Sequence, residues 1–293
     1  MFGEHLTGIY EKAFDPKDSW EKRLNKAKSL GFDYLEISID EKDERIERLY
    51  WDDARVEALR RSCNEAQLPI MSMCLSAHRR FPFGSSDPHI REKAHELLLR
   101  AIEFSAHMGI RTIQLAGYDV YYEPSTPESV ARFEEAMDWA AEQAEKHQVM
   151  LAMEIMDTPF MNSITKHLAY DSRIHSPWYK VYPDLGNLSA WPENDPAAEL
   201  EKGIDSIVAV HLKDTVPPTA GKPGVFKCVD FGAGCVDFEA RFRQLEALGY
   251  KGPYMIEMWY AEGSSDVEKI RESVCWLEER YRAAMGPGGK SNA

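Results

Sequence analysis

The sequence predicts an α/β protein that closes into a single (β/α)8 barrel, and three observations carry that prediction. Short β-rich runs alternate eight times with longer stretches of helical period. Most of the short runs are continuously apolar, as parallel strands covered on both faces are. The 293 residues also divide into eight units of roughly 37, a size that suits such a barrel. A doubly wound open sheet is the competing fold, but no GxGxxG follows the first strand run.

The strands are expected at Gly8–Glu11, Tyr34–Ile39, Ile70–Ser76, Thr112–Ala116, Met150–Met156, Val181–Asp184, Ile207–Leu212 and Tyr254–Trp259. Between them the apolar residues fall at helical spacing: Trp20, Leu24, Ala27 and Leu30 form one stripe, and Val130, Phe133, Met137, Ala140 and Ala144 another. Asp15-Pro16, Asp87-Pro88 and Thr126-Pro127 each offer a cap residue followed by proline at the first helical position. Gly31, Gly109 and Gly249 punctuate helix ends shortly before strands. The barrel domain is therefore expected over residues 1–285, with a disordered tail, GPGGKSNA, from Gly286 to Ala293.

Composition limits the function classes. With 44% apolar and 29% charged residues, the chain has ordinary globular composition, which excludes a disordered or fibrous protein. The net charge of −14 repels nucleic acid and anionic membrane surfaces. No unbroken apolar run approaches the length of about 18 residues that a membrane span needs, and the first residues lack a signal-peptide pattern. A cytoplasmic protein is expected. The five cysteines include no CxxC pair, so buried thiols are expected rather than disulfides or a zinc knuckle.

In such barrels chemistry sits at the C-terminal ends of the strands. Four consecutive strands each carry a polar residue in an apolar run: Glu154 in MLAMEIM, Asp184 in VYPDLGN, His211 in IVAVHLKD and Glu257 in YMIEMW. Burying three carboxylates together is prohibitive unless a cation neutralises them. Two Glu, one Asp and one His suit Zn²⁺, Mn²⁺, Co²⁺ or Mg²⁺. Glu36 and Gln114 either line the same pocket or are interior polar groups. The remaining histidines, among them His5, His95 and His167, read as surface residues, and the acidic run Asp40–Glu47 as a solvated helix face.

This pattern resembles the metal site of the xylose-isomerase-like TIM barrel enzymes, and in particular the ketose 3-epimerases. Met73–Ser85 (MCLSAHRRFPFGS), Val181–Trp191, Val210–Thr215, Pro223–Lys227 and Gly252–Trp259 are similar to one branch, the L-ribulose-5-phosphate 3-epimerases, also called L-xylulose-5-phosphate 3-epimerases. Some members of that branch bear the label hexulose-6-phosphate isomerase. The resemblance covers nearly the whole chain. It implies an isomerase that inverts C3 of L-ribulose 5-phosphate or L-xylulose 5-phosphate through an enediolate. It also implies one divalent ion, Glu154 and Glu257 bracketing C3 as the acid/base pair, and a homodimer.

A ketose can chelate a cation through its C2 carbonyl and C3 hydroxyl, and inversion needs two bases on opposite faces of the carbon. An alternative assignment makes His211 the base and Glu154 a plain ligand. For the phosphate, His78, Arg79 and Arg80 follow the third strand, and Lys213 and Lys227 lie in the long segment after the seventh. Asn187 and Trp191 either contact substrate or pack their loop. The competing readings are an epimerase or isomerase of a free ketose, an inosose dehydratase or hydroxypyruvate isomerase, a DNA-repair endonuclease and a non-catalytic sugar sensor. The endonuclease would need more ligands and a basic face. The sensor would have lost a ligand or base, and none is missing.

Overall fold

The computed structural model describes Met1–Gly286; residues 287–293, which hold most of the expected tail, lie outside the described residues. The strands are β1 (Thr7–Tyr10), β2 (Tyr34–Ile39), β3 (Ile70–Leu75), β4 (Thr112–Leu115), β5 (Met150–Glu154), β6 (Tyr179–Tyr182), β7 (Val210–Leu212) and β8 (Tyr254–Ile256). They hydrogen-bond in the order β6-β5-β4-β3-β2-β1-β8-β7, each pair parallel. Two isolated parallel bridges, Val181 to Ile207 and Asp184 to His211, bring the ends of this sheet together. The result is a nearly closed (β/α)8 barrel.

Helices cover the outside. In chain order they are α1 (Trp20–Ser29), α2 (Asp43–Ile46), α3 (Asp53–Ala66), α4 (Pro88–Met108), α5 (Pro127–His147) and α6 (Ile164–Ile174). The series continues with α7 (Leu185–Ser189), α8 (Pro196–Gly203), α9 (Phe238–Ala247) and α10 (Asp266–Met285). The longer ones open on side-chain caps, as orphaned first-turn amides require. Asp87 caps α4 ahead of Pro88, and Thr126 and Ser129 form a reciprocal capping box on α5. The Asp15-Pro16 pair does not open a helix: α1 starts at Trp20 under a Ser19 cap, and Asp15 instead accepts from the Lys17 amide in a short turn. No helix among the described residues is long and apolar enough to cross a membrane.

The strands read as apolar because both faces are covered; all six residues of β2 are buried. Inside the barrel, Tyr10, Tyr34, Tyr182 and Met255 pack with Cys74, Ala152 and Ala209. Gly8 leaves room for this layer, since a Cβ there would stand 2.2 Å from the Tyr34 ring. A larger core fills the space between sheet and helices.

Several surface expectations are overturned by burial. Asp40 is buried and pairs with Lys12 at 2.5 Å, and Arg45, with Arg48 just beyond the run, turns inward to Glu11, while Lys42, Asp43, Glu44 and Glu47 are exposed, so Asp40–Glu47 is solvated only in part. Glu11 is fully enclosed and also pairs with Arg23 at 3.2 Å. Such a carboxylate survives burial only because these guanidinium groups neutralise it. Cys63 and Cys74 are buried as expected, but Cys228, Cys235 and Cys275 are exposed. His5 and His167 are buried, and His5 is held by Gly252 O and Glu246 at 2.7 Å each.

His167 stacks on Tyr179 with ring centroids 5.2 Å apart, and neither of its nitrogens has a hydrogen-bond partner. Burial pushes its pKa from 6.5 down to about 4. Between those values the unfolded chain takes up a proton that the folded chain refuses, so stability falls as the pH drops through that window. His167→Phe is expected to remove about 2 kcal/mol of the stability lost between pH 7 and pH 5. Calorimetric melting at the two pH values checks this, and identical acid losses in variant and parent would contradict it.

Candidate active site

The strand ends deliver four side chains to one point. Glu154 is the last residue of β5, His211 the middle residue of β7, and Glu257 follows the last residue of β8. Asp184 lies beyond the end of β6, as the N-cap of α7, where its Oδ1 accepts from the Asn187 amide at 2.7 Å. The short helix α7 sits tightly against β7: a Cβ on Gly186 would stand 2.4 Å from Thr215 Oγ1 and 2.8 Å from Lys213 O. A glycine at the first turn therefore sets how closely Asp184 approaches His211.

One potential ligand atom from each of Glu154, Asp184, His211 and Glu257 lies within 4.8 Å of the others. His211 Nδ1 is 3.5 Å from Glu154 Oε1, 3.6 Å from Glu257 Oε2 and 3.7 Å from Asp184 Oδ2. Asp184 Oδ2, Glu257 Oε2 and His211 Nδ1 are buried and make no hydrogen bond. Lys213 alone approaches the two carboxylate oxygens, and acceptors converging with so few donors are costly unless a further cation satisfies them. The residues fit a divalent ion: three carboxylates and one imidazole offer hard and borderline donors and no thiolate.

Lys213 supplies the nearest positive charge within the protein. Its Nζ is 3.1 Å from Asp184 Oδ2 and 3.3 Å from Glu257 Oε2, and donates to Asn187 Oδ1 at 3.0 Å. Burial would lower the Lys213 pKa, but Asp184, Glu257 and Glu154 outweigh it and hold the ammonium charged. Burial likewise opposes ionisation of Asp184, yet Lys213, His211 and the Asn187 amide keep its carboxyl below the usual range. For Glu257 burial wins over Lys213 and His211, and the carboxyl is pushed up to about 7. His211 goes the other way: burial would lower it, but Asp184, Glu154 and Glu36 raise it well above 6.5.

A narrow cleft opens above these residues. Glu154 and Glu257 line it, whereas Asp184 and His211 do not and are fully buried beneath. Arg79, Lys227, Lys213 and Asn187, all expected at the site, also line it. Arg79 lies over the Tyr118 and Tyr121 rings at 5.5 and 5.4 Å, the two rings meeting edge to face, and its Nε has no partner. Its Nη2 donates to Tyr118 OH at 3.4 Å, and that hydroxyl donates to Asp157. Burial and the nearby Arg79 cation lower the pKa of Lys227.

His78 and Arg80 are drawn elsewhere. A 3-10 turn over Ser76–Arg79 turns His78 into the core, against Phe83 and 3.2 Å from Ala94 O. Burial pushes its pKa down to about 4, so it has no charge to offer a phosphate near neutral pH. Arg80 points outward to Asp43 at 2.6 Å. Trp191 packs beside Phe226, with ring centroids 6.0 Å apart. Lys12, Asp157 and Trp259 line the cleft unanticipated. Their signal was positional, since each lies two or three residues beyond a strand-end residue.

The fold and donor set define a class. A family model described as "Xylose isomerase-like TIM barrel" matches residues 24–280, and the chain belongs to that family. SgbU of Escherichia coli (strain K12) is 53% identical over 280 residues, covering 96% of this chain and 98% of that one. L-ribulose-5-phosphate 3-epimerase UlaE of Salmonella heidelberg (strain SL476) is 49% identical over 277 residues, covering 94% and 95%. Within the barrel class the chain is therefore a member of the L-ribulose-5-phosphate 3-epimerase family. Among solved structures, apo 3-keto-D-glucoside 4-epimerase YcjR from E. coli shares the fold, with a TM-score of 0.75, 19% identity and coverage of 94% and 99%.

Because His211 holds a proton in the cation-free site, a divalent ion must displace it. With Glu257 also pushed up to about 7, binding at pH 7 is expected to release between about one and two protons per ion, and apparent affinity to rise with pH near neutrality. Calorimetry in two buffers of different ionisation enthalpy measures the release, and none at all would contradict the ligand assignment.

Proposed function

We propose that this protein is a metal-dependent isomerase that interconverts L-ribulose 5-phosphate and L-xylulose 5-phosphate by inverting C3. The observation that carries the reading is the split among the four ligands. Glu154 and Glu257, on β5 and β8, open onto the cleft, while Asp184 and His211 are sealed below it. Proton transfer needs groups that can reach substrate, so the two glutamates take the acid/base roles and the other two hold the ion. The sealed position of His211 speaks against its acting as the base.

A divalent ion held by Glu154, Asp184, His211 and Glu257 supplies Lewis acidity at the C2 carbonyl and C3 hydroxyl. One glutamate then removes the C3 proton from its face, and the other returns a proton to the opposite face of the enediolate. The Lys213 ammonium, next to Asp184 and Glu257, offers a donor where negative charge builds on the sugar oxygens. Asn187 holds that ammonium.

Arg79 and Lys227 are assigned to the phosphate. Burial and the neighbouring Arg79 cation lower the Lys227 pKa, and an incoming dianion would relieve that strain. A free ketose is the second reading, favoured by Asp157, whose carboxylate already shares Arg79 through Tyr118. The reading further includes Zn²⁺, Mn²⁺, Co²⁺ or Mg²⁺ as the ion, residues 1–285 as one domain, and a cytoplasmic homodimer. The homodimer follows the resemblance of the sequence, the choice of ions the donor set, the single domain the repeated β/α units, and the cytoplasmic location the missing signal-peptide pattern and membrane span.

Proton NMR in D₂O with L-xylulose 5-phosphate and, separately, free L-xylulose tests the reaction. Deuterium at C3 of the phosphorylated sugar with L-ribulose 5-phosphate forming is the expected result. Exchange in the free sugar alone would remove the phosphate from the reading. Glu154→Gln and Glu257→Gln are each expected to lower kcat by at least about 10²-fold, the lower end of what a general acid or base contributes. Substantial turnover in either sinks the two-base scheme. Arg79→Ala should raise KM for the phosphorylated sugar far more than for the free one, and equal effects would take Arg79 out of the phosphate site.

A further inference from the structure

Glu36 lies on β2, far in sequence from the four ligands, and its side chain is fully buried inside the barrel. Its Oε1 faces His211 Nε2 at 3.4 Å, and neither atom has any hydrogen-bond partner. Its other oxygen accepts from Tyr182 OH at 3.4 Å, and the Tyr182 ring lies against the imidazole with centroids 4.4 Å apart. Strands β2, β6 and β7 thus contribute one residue each to a buried group below the ligands.

We propose that Glu36 is a positioning residue for the metal site: it fixes His211 with the proton on Nε2 and the lone pair of Nδ1 aimed at the ion. The inference rests on the metal reading. Its argument is one of accounting for buried polar atoms. Nδ1 is the nitrogen facing Glu154, Asp184 and Glu257, so an ion held there leaves Nε2 as the N–H. An N–H sealed in the barrel interior costs about 1–3 kcal/mol unless an acceptor meets it. The carboxyl of Glu36 is the facing acceptor, and it is short of a donor on that same oxygen. A histidine ligand whose second nitrogen is held by a carboxylate keeps one tautomer and one ring orientation, and becomes a better donor. Tyr182 holds the carboxyl from the other side and stops the ring from swinging.

Titration of wild-type protein, Glu36→Leu, Glu36→Gln and Tyr182→Phe with Co²⁺, against a competing chelator, reads affinity and the visible ligand-field spectrum without any turnover. Glu36→Leu is expected to weaken Co²⁺ binding by about 10- to 100-fold. Glu36→Gln, which keeps an amide oxygen for Nε2, should lose less, and Tyr182→Phe should move in the same direction by a few-fold. Affinities within two-fold of wild type and an unchanged spectrum would overturn the inference, even if the variants melt at lower temperature. That pattern is what a merely structural carboxyl would produce. If Glu36→Leu does not fold, the two milder variants decide by the same criterion. Wild-type protein that takes up no cobalt would remove the metal reading, and this inference with it.

Discussion

Three carboxylates brought to one buried point repel each other, and the upper end of the barrel is organised around neutralising them. Glu154, Asp184 and Glu257 carry three negative charges when ionised, and Lys213 returns one within the protein. A divalent ion held there would offset the other two. Without the ion, the imbalance raises His211 and Glu257 while Lys213 and the Asn187 amide hold Asp184 down.

A second buried carboxylate shows the contrasting solution. Glu11 follows β1 and is met by Arg23, Arg45 and Arg48, so protein charges alone satisfy it. Nothing there is left for a ligand to complete. At the candidate site the compensation is deliberately short by the charge of one small cation, and that deficit separates a binding centre from a structural knot. The cleft repeats the logic with the sign reversed: Arg79 and Lys227 both line it, with Asp157 offsetting only part of their charge.

Much of this was legible in the sequence because burial on both faces makes a parallel strand read as an unbroken apolar run. A polar residue inside such a run stands out, which is why Glu154, His211 and Glu257 could be picked out individually. Asp184 was found for a slightly different reason than expected, as a helix cap beyond the strand rather than its last residue. What could not be read is side-chain direction in irregular backbone. His78, Arg79 and Arg80 are adjacent in sequence, yet one 3-10 turn sends them to the core, the cleft and the solvent. The inward turn of Arg45 and Arg48 was hidden similarly, because their partner Glu11 sits on a different element.

The seam of the barrel has a consequence for how the protein comes into being. β6 and β7 meet through isolated bridges, and one of those bridges joins Asp184 to His211. Glu257 comes later still, at the end of the last strand. During synthesis on the ribosome, the amino-terminal half emerges with Glu36 and Arg79 but no ligand at all, and the set is complete only once β8 has been released. No partial chain can capture the ion with full affinity. The metal centre thus matures with the closure of the ring, and its occupancy reports that the fold is finished.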